Sequence, residues 1–193
     1  MGQIDTKTHI LDVAQDLIQR LGVSGMSYKD VSEAVGIRKA SVHTHFPKKD
    51  DLLVAVLDRY SDRLLRTVDS IIDSPESAEV KLRRYCSLFE ATLSSGNQDR
   101  VCLGGIVGTE LISLSPLLAE RIRTFYQESE ARIAAMLTEG RQTGEFSFKG
   151  DSDVLASLVF SALQGGLLIA RVRGGAQTFH ATVDQLMTLV KGG

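Results

Sequence analysis

The sequence predicts an all-α fold of about nine helices. Apolar residues recur at helical spacing along most of the 193-residue chain, and the alternation that indicates half-buried β-strands is nearly absent. Glycine, proline and serine residues interrupt the periodicity at intervals that suit helix ends. A chain of this length can form one sizeable core, or a small module beside a larger domain.

Three helices are predicted in the N-terminal part of the chain. The first covers about residues 7–21, carries an apolar stripe and is expected to end at Gly22. Ser27 begins the second, because its hydroxyl can cap the amide of Asp30 and the Asp30 carboxylate can complete a capping box. Gly36 ends the second helix, and a third helix over about residues 39–46 ends before Pro47.

Six further helices are predicted in the remainder of the chain. They cover about residues 50–72, 78–93, 106–114, 116–142, 152–173 and 176–190, with loops at 95–97 and 174–175. The eighth, capped by Asp151 or Ser152, has almost no polar face between Leu155 and Val172. A helix that is apolar all round must be buried on both sides, so we expect a second subunit to cover one of them.

The net charge of −2 is distributed unevenly. Arg38, Lys39, Lys48 and Lys49 lie in an acid-free segment over residues 36–49, which has a charge of +4 and leaves −6 for the rest of the chain. A basic island on an acidic protein can bind phosphates at one place while the remainder discourages non-specific contact. On charge alone, a solvated charged surface is an equally good interpretation.

The N-terminal elements have the order of a helix-turn-helix, in which the second of two helices enters the DNA major groove. Ala34 is expected where the two helices approach, and Gly36 permits the turn. Val42 and Phe46 are expected to anchor the short basic helix. Arg38 stands at its N-cap, where a cation opposes the helix dipole unless a phosphate lies beside it.

The segment from Gly36 to Leu52 resembles the signature of the TetR family, most specifically in its His-Phe-Pro sequence followed by lysine. The rest of the chain is similar to that family in length and helix order, and residues 161–171 resemble its dimer-forming helix. Two positions depart from the family pattern: residue 38 is usually Ser or Thr, and residue 43 is most often Tyr. The operator sequence therefore cannot be transferred from other members.

The resemblance implies a three-helix DNA-binding domain over residues 1–49, and a helical ligand-binding and dimerisation domain over residues 50–193. It implies a homodimer that binds a palindromic double-stranded DNA operator and is released by a small-molecule effector of unknown identity. A repressor is the expected role, with activation left open. The predicted DNA-binding residues are Ser27, Lys29, Arg38, Lys39, Ala40, Ser41, His43, Thr44, His45 and Lys49.

Polar residues within the apolar C-terminal helices are the candidates for effector binding. Glu110 is suited to a polar or cationic ligand, although a capped or surface-facing glutamate is an equally good interpretation. Cys102 stands before a helix start, where a thiol is more readily ionised, with core packing as the alternative. Cys86, in mid-helix, is predicted to be core. The predicted ligand-binding residues are Tyr60, Tyr85, Cys102, Glu110, Tyr126 and Gln164.

An enzyme is the least supported alternative. No catalytic residue, metal site or cofactor is predicted, because the sequence has no H-x-x-x-H, G-x-S-x-G or phosphate-loop pattern. His43 and His45 diverge by about 200° on a helix and cannot chelate one metal. A helical protein-binding adaptor is the other alternative, but it would leave the acid-free basic segment unexplained.

The location expected from the sequence is cytoplasmic. The N-terminus lacks an apolar stretch of signal-peptide length. The chain also has no run of 18 apolar residues, so no membrane partner is predicted. The two cysteines do not form a C-x-x-C pattern, which argues against a disulfide framework and a zinc site.

Overall fold

The computed structural model describes residues 5–94, 99–173 and 175–193. Within these ranges the chain forms nine α-helices, a single turn of 3₁₀-helix over Leu111–Ser113, and no strand. The predicted loop at 95–97 and residue 174 lie outside the described ranges. The helices are α1 (Thr6–Gly25), α2 (Tyr28–Val35), α3 (Lys39–His45), α4 (Lys49–Ile72), α5 (Ala78–Ser94), α6 (Leu103–Thr109), α7 (Pro116–Gln142), α8 (Ser152–Arg173) and α9 (Gln177–Val190).

The helical geometry of α1 breaks at Gly22, the residue that was predicted to end this helix. Gly22 has φ 81° and ψ 173°, which breaks the helical geometry, but helical turns resume and continue to Gly25. The predicted break is therefore confirmed, and a short helical segment that the sequence did not predict follows it. This geometry places new helix-starting amides at Val23 and Ser24, which need hydrogen-bond acceptors from elsewhere.

The predicted range of α6, residues 106–114, is wrong. The helix begins at Leu103 and ends at Thr109, so Gly104 and Gly105 lie inside it. The predicted start at residue 106 had left both glycines outside the helix. Gly104 is retained in the helix because the Phe125 ring occupies the space that a Cβ at that position would need. Tertiary packing therefore overrides the low helix propensity of glycine here.

The described residues form two compact units. The first comprises the residues up to Asp62 together with Leu103–Phe125, and the second comprises Arg63–Cys102 and Tyr126–Gly193. Helices α4 and α7 contribute residues to both units, and α6 packs with α1 in the first. The functional division between residues 49 and 50 stays a prediction, since this grouping rests on packing alone.

Each unit has its own apolar core. In the first, Ile10, Ala14 and Ile18 of α1 are fully buried. In the second, Leu137 of α7 and Leu163 of α8 are fully buried. Burial of apolar surface at about 25 cal/mol per Å² is the main stabilising contribution to both cores.

Helix α8 has one buried and one exposed apolar face. Leu155, Val159 and Leu163 are buried, whereas Val154 and Val172 are 71% and 79% exposed. Among the described helices, α8 is long and apolar enough to cross a membrane by length and composition only. The same composition is typical of a core helix of a soluble protein, and part of α8 is indeed core. The predicted apolar composition of α8 is confirmed, and one of its apolar faces is exposed in the described chain.

A carboxylate from a neighbouring loop caps the start of α5. The Ala78 amide donates to Glu145 Oε1 at 3.2 Å, and the Glu79 amide donates to Glu145 Oε2 at 3.0 Å. These backbone hydrogen bonds lower the pKa of Glu145 below its usual value, and the bond from the Glu79 amide has the largest effect. Because the folded-state pKa is lowered, the stabilisation is present above the unfolded-state pKa and is lost as the pH falls through the folded-state value.

We predict that Glu145→Ala lowers the free energy of unfolding of the protein by about 1 kcal/mol at neutral pH, the usual cost of losing a helix cap. The difference in the free energy of unfolding between the variant and wild type should shrink in acid, where the wild-type carboxyl is itself protonated. Urea denaturation across a pH series measures this difference. Glu120→Gln, at an exposed ion pair, is the control. A difference that persisted unchanged in acid would contradict the capping role.

Candidate nucleic-acid interface

The start of α2 is fixed by the predicted capping box. The Asp30 amide donates to Ser27 Oγ at 3.4 Å, and the Ser27 amide donates to Asp30 Oδ2 at 2.9 Å. The Ser27 hydroxyl also donates to Asp30 Oδ2 at 2.6 Å, and these hydrogen bonds from Ser27 lower the pKa of Asp30. The capping prediction is confirmed, and the role of Ser27 in DNA binding stays a prediction.

The turn between α2 and α3 depends on Gly36. This residue ends α2 in the left-handed region, with φ 77° and ψ 29°, and its amide donates to the carbonyls of Ser32 and Glu33. A side chain at this φ would be strained, so glycine suits the turn as predicted. The expected close approach at Ala34 is wrong, because Ala34 is exposed and Ser32 is the buried residue on that part of α2.

Helix α3 is held by three buried groups. Val42 and Phe46, the predicted anchors, are 0% and 3% exposed. The third is Tyr28, whose hydroxyl donates to the Phe46 carbonyl at 2.7 Å and whose ring lies 4.6 Å from that of His43. Burial, followed by the negative charge of Asp51, raises the pKa of Tyr28 to about 12, so the phenol remains a donor at neutral pH.

Sequence reasoning missed the role of Tyr28. The only signal was an aromatic residue with a polar tip at the first position of a short amphipathic helix. Such a residue packs its ring inside and finds a partner for its hydroxyl. The partner, the carbonyl of Phe46, is 18 residues away and is specified by tertiary structure alone.

All but one of the predicted DNA-binding residues on α3 are exposed. Ser41 is partly buried, and Arg38 makes no side-chain capping hydrogen bond at the start of the helix. Lys29, on α2, is exposed and lies 3.8 Å from the Glu33 carboxylate. The exposed residues at and within α3 are Arg38, Lys39, Ala40, His43, Thr44 and His45.

Lys49, the first residue of α4, is partly buried. Its Nζ donates to the Val23 carbonyl at 2.7 Å. An ammonium group has three donors, so this bond leaves two for a phosphate. Lys49 is one of the predicted DNA-binding residues, and a contact with a backbone phosphate is compatible with this geometry.

Four of the six predicted effector residues lie in the second unit. Gln164 Nε2 donates to Cys102 Sγ at 3.4 Å. The two tyrosines each contact a phenylalanine: the Tyr126 ring lies 5.2 Å from that of Phe160, and the Tyr85 ring lies 5.5 Å from that of Phe89. The Phe89 and Phe160 rings are 6.4 Å apart, which links α5, α7 and α8 through one aromatic cluster.

The Tyr85 hydroxyl is unusual within this cluster. Tyr85 is 1% exposed, and its hydroxyl has no hydrogen-bond partner among the described residues. Burial raises the pKa of Tyr85, and the proximity of Cys102 adds to this effect. A buried donor without an acceptor costs about 1–3 kcal/mol, which a bound acceptor would recover.

The other two predicted effector residues belong to the first unit. The Tyr60 ring lies 6.0 Å from that of Phe125. The Glu110 carboxylate accepts hydrogen bonds from the Val23 amide at 2.6 Å, from the Ser24 amide at 2.9 Å and from the Ser24 hydroxyl. Its oxygens are engaged by α1, so the capping interpretation of Glu110 is the one that the geometry favours.

These features together define a helix-turn-helix regulator: an all-α chain with a glycine turn, an exposed basic second helix and a larger helical part. Residues 10–56 match the family described as "Bacterial regulatory proteins, tetR family". Residues 78–186 match the family described as "Tetracyclin repressor-like, C-terminal domain". The matches cover more than half of the chain, which belongs to the TetR family of transcriptional regulators, and these are non-enzymatic DNA-binding proteins.

Known proteins are similar to this chain over nearly its whole length. The "HTH-type transcriptional repressor DhaR" of Mycobacterium sp. (strain GP1) is 23% identical, covering 98% of this chain and 92% of its own. A TetR transcriptional regulator from Legionella pneumophila is 28% identical with a TM-score of 0.88, covering 99% of this chain and 100% of its own. A TetR-family regulator from Agrobacterium tumefaciens is 26% identical with a TM-score of 0.91, covering 96% and 97%.

We predict that the two thiols differ in reactivity. Burial raises the pKa of Cys86 to about 12, so its thiolate fraction near pH 8 is about one in ten thousand. Cys102 lies just before the first residue of α6, outside any helix, whereas Cys86 lies within α5, so iodoacetamide should modify Cys102 first in the native protein. Peptide mass mapping over time, with Cys102→Ser as the control, measures the order. Equal and slow labelling of the two cysteines would instead indicate that Cys102 is a packing residue of the core.

Proposed function

We propose that the protein is a ligand-responsive repressor whose homodimer binds a palindromic double-stranded DNA operator through α3. The geometry of α3 carries the proposal. Arg38 and Lys39 are exposed on a helix whose inner face is anchored by Val42 and Phe46. Phosphate contacts position such a helix in the major groove, and outward side chains read base edges.

The predicted contacts divide into two groups by chemistry. Arg38 and Lys49 are suited to phosphate oxygens, and Ser27 and Lys29 at the start of α2 are suited to the same backbone. The second group lies on the exposed part of α3 and is suited to base edges and to the thymine methyl. This second group comprises Lys39, Ala40, Ser41, His43, Thr44 and His45.

The exposed apolar residues of α8 and α9 support a homodimer. Leu158, Leu168 and Ile169 of α8 are 51%, 54% and 46% exposed, and Leu189 of α9 is 39% exposed. A groove of about 490 Å³ lies between the two helices and is lined in part by Leu158 and Leu189. Two helices from each subunit would form a four-helix bundle that buries these side chains.

The aromatic cluster of the second unit supports effector binding there. Tyr85 offers a buried donor without a described acceptor, Tyr126 contacts Phe160 of the same aromatic cluster, and Gln164 donates to Cys102. An effector with a hydrogen-bond acceptor and a compact apolar body suits these groups. A regulator of this kind acts where the chromosome is, so we place it in the cytoplasm.

We predict that replacing Arg38 and Lys39 together by alanine lowers operator affinity by about 100-fold or more, because each cationic contact contributes on the order of 1–3 kcal/mol. Replacing Lys49 by alanine should weaken binding to all sequences alike. It should also reduce the slope of log affinity against log salt concentration by about one unit per subunit. Fluorescence anisotropy with a fragment selected from genomic DNA measures both effects.

The control for this experiment is Lys149→Ala, which removes an exposed lysine of the second unit. This variant should bind the operator as wild type does. Unaltered affinity in the Arg38 and Lys39 double variant would overturn the assignment of α3 as the recognition helix. Failure of the wild-type protein to shift any genomic fragment would instead favour the protein-binding adaptor.

We predict that Leu168→Glu dissociates the dimer, because a carboxylate would be placed in the proposed apolar interface. Ile112→Glu, at a fully exposed apolar residue of the first unit, is the matched control and should leave the dimer intact. Sedimentation velocity distinguishes the two species, and circular dichroism reports whether each variant is folded. A stable wild-type monomer would contradict the proposed interface.

A further inference from the structure

The His43 imidazole lies against the ring of a core residue. His43 is exposed on α3, and its ring centroid is 4.6 Å from that of Tyr28, with the two ring planes inclined at 60°. Tyr28 is itself fixed, because it is 7% exposed and its hydroxyl donates to the Phe46 carbonyl at 2.7 Å. A side chain that is already ordered loses less conformational entropy when it binds a partner. His43 is therefore prepared for a contact from outside the chain.

The two imidazole nitrogens of His43 are open to such a contact. Within residues 5–94, 99–173 and 175–193, no hydrogen bond or ion pair reaches them. A neutral imidazole has one donor and one acceptor, whereas an imidazolium has two donors and a positive charge. Histidine is the side chain that changes between these forms from about pH 5 to pH 8. An external partner rich in acceptors would therefore favour the protonated form.

The residue beneath the imidazole does not change its charge over this pH range. Burial, followed by the negative charge of Asp51, raises the pKa of Tyr28 to about 12. The Asp51 carboxylate, on α4, accepts a hydrogen bond from the Lys48 amide at 3.0 Å. A change in DNA affinity between pH 6 and pH 8 at this contact would thus come from the imidazole and not from the phenol below it.

Lysines add positive charge on and beside α3. Lys39 precedes His43 by four residues, so the two side chains lie one turn apart on the same face of the helix. The Lys7 ammonium, on α1, lies 5.8 Å from the centroid of the Phe46 ring at the end of α3. An anion at this face would meet these positive charges, and protonated His43 would add another.

His45 is the other histidine of α3 and differs from His43 in its surroundings. It is exposed, and it diverges from His43 by about 200° around the helix. Among the described residues, no ring packs against the His45 imidazole. His45 must therefore lose more side-chain freedom than His43 in any contact that it makes.

We propose that operator binding takes up protons at His43, so that the affinity for DNA rises as the pH falls from about 8 to about 6. This inference rests on the proposed operator-binding function. Backbone phosphates and the O6 and N7 atoms of guanine are acceptors that favour the imidazolium in the complex. Because the complex then holds protons that the free protein does not, the added affinity is present in acid and is lost as the pH rises.

The first test compares operator affinity at pH 6, 7 and 8 at constant ionic strength. Fluorescence anisotropy with a fragment selected from genomic DNA should show wild type binding about tenfold more tightly at pH 6 than at pH 8, within the usual range of coupling free energies. His43→Gln retains hydrogen-bonding capacity but does not titrate, so it should lose most of this difference. His45→Gln is the matched control on the same helix and should retain the pH dependence, whatever its affinity.

A second measurement counts the protons directly. Calorimetric titrations in two buffers of different ionisation enthalpy give the number of protons taken up when the dimer binds. Wild type should take up about one proton or more per dimer near pH 7, and His43→Gln should take up close to none. If His43→Gln does not fold, His43→Tyr keeps a ring beside Tyr28 and does not titrate in this pH range.

A comparison of the operator with an unrelated duplex identifies the acceptor. Equal pH dependence on both would support the proposal with a phosphate as the acceptor. A pH dependence confined to the operator would support it with a base edge as the acceptor.

Other results would overturn the inference and leave the proposed function standing. These are operator binding by wild type that is independent of pH, and a pH dependence that persists in His43→Gln or disappears in His45→Gln. If wild type bound no genomic fragment at any pH, the proposed function would fail and the inference would fail with it.

Discussion

The seven residues of α3 depend on tertiary anchoring, because an isolated helix of this length is not stable in water. The hydrogen bond from the Tyr28 hydroxyl to the Phe46 carbonyl fixes the end of α3, and buried Val42 fixes its middle. The capping box at Ser27 sets the start of α2 and therefore the position of Tyr28. The exposed side chains of α3 take their positions from these internal contacts.

Carboxylates that accept two backbone amides recur at the places where helices start or restart. Glu145 does so at α5, and Glu110 does so at the broken end of α1. Each bond ties a helix end to a segment far along the chain, 87 residues away for Glu110 and Val23. The protein thus uses side-chain acceptors both to satisfy backbone groups and to join separate elements.

Local signals were sufficient for much of the fold. The bounds of α7, from Pro116 to Gln142, follow from a proline at the first helical position and a glycine two residues beyond the end. The capping box of α2 and the left-handed turn at Gly36 follow from residue types within four positions of each other. These features depend on neighbouring residues, which a sequence displays directly.

The features that could not be predicted depend on residues far apart in the chain. Gly104 is helical because Phe125 occupies the space beside it, and the two are 21 residues apart. Glu110 was a candidate for ligand binding because its partners on α1 were not visible from its own surroundings. The four effector candidates of the second unit share apolar surroundings, which a sequence shows, but the ring contacts that link Tyr85 and Tyr126 through Phe89 and Phe160 arise from the packing of α5, α7 and α8.

The composition of α6 has a thermodynamic consequence. Three of its seven residues, Gly104, Gly105 and Gly108, are glycine, and each costs about 1 kcal/mol relative to alanine in a helix. The helix–coil equilibrium of this segment alone would favour the coil, so its order is supplied by buried Leu103 and Val107 and by the Phe125 ring. A small change in the free energy of those contacts is therefore large compared with the helical stability of the segment itself. Local unfolding of α6 therefore costs mainly the loss of these tertiary contacts, because the segment contributes little helical stability of its own.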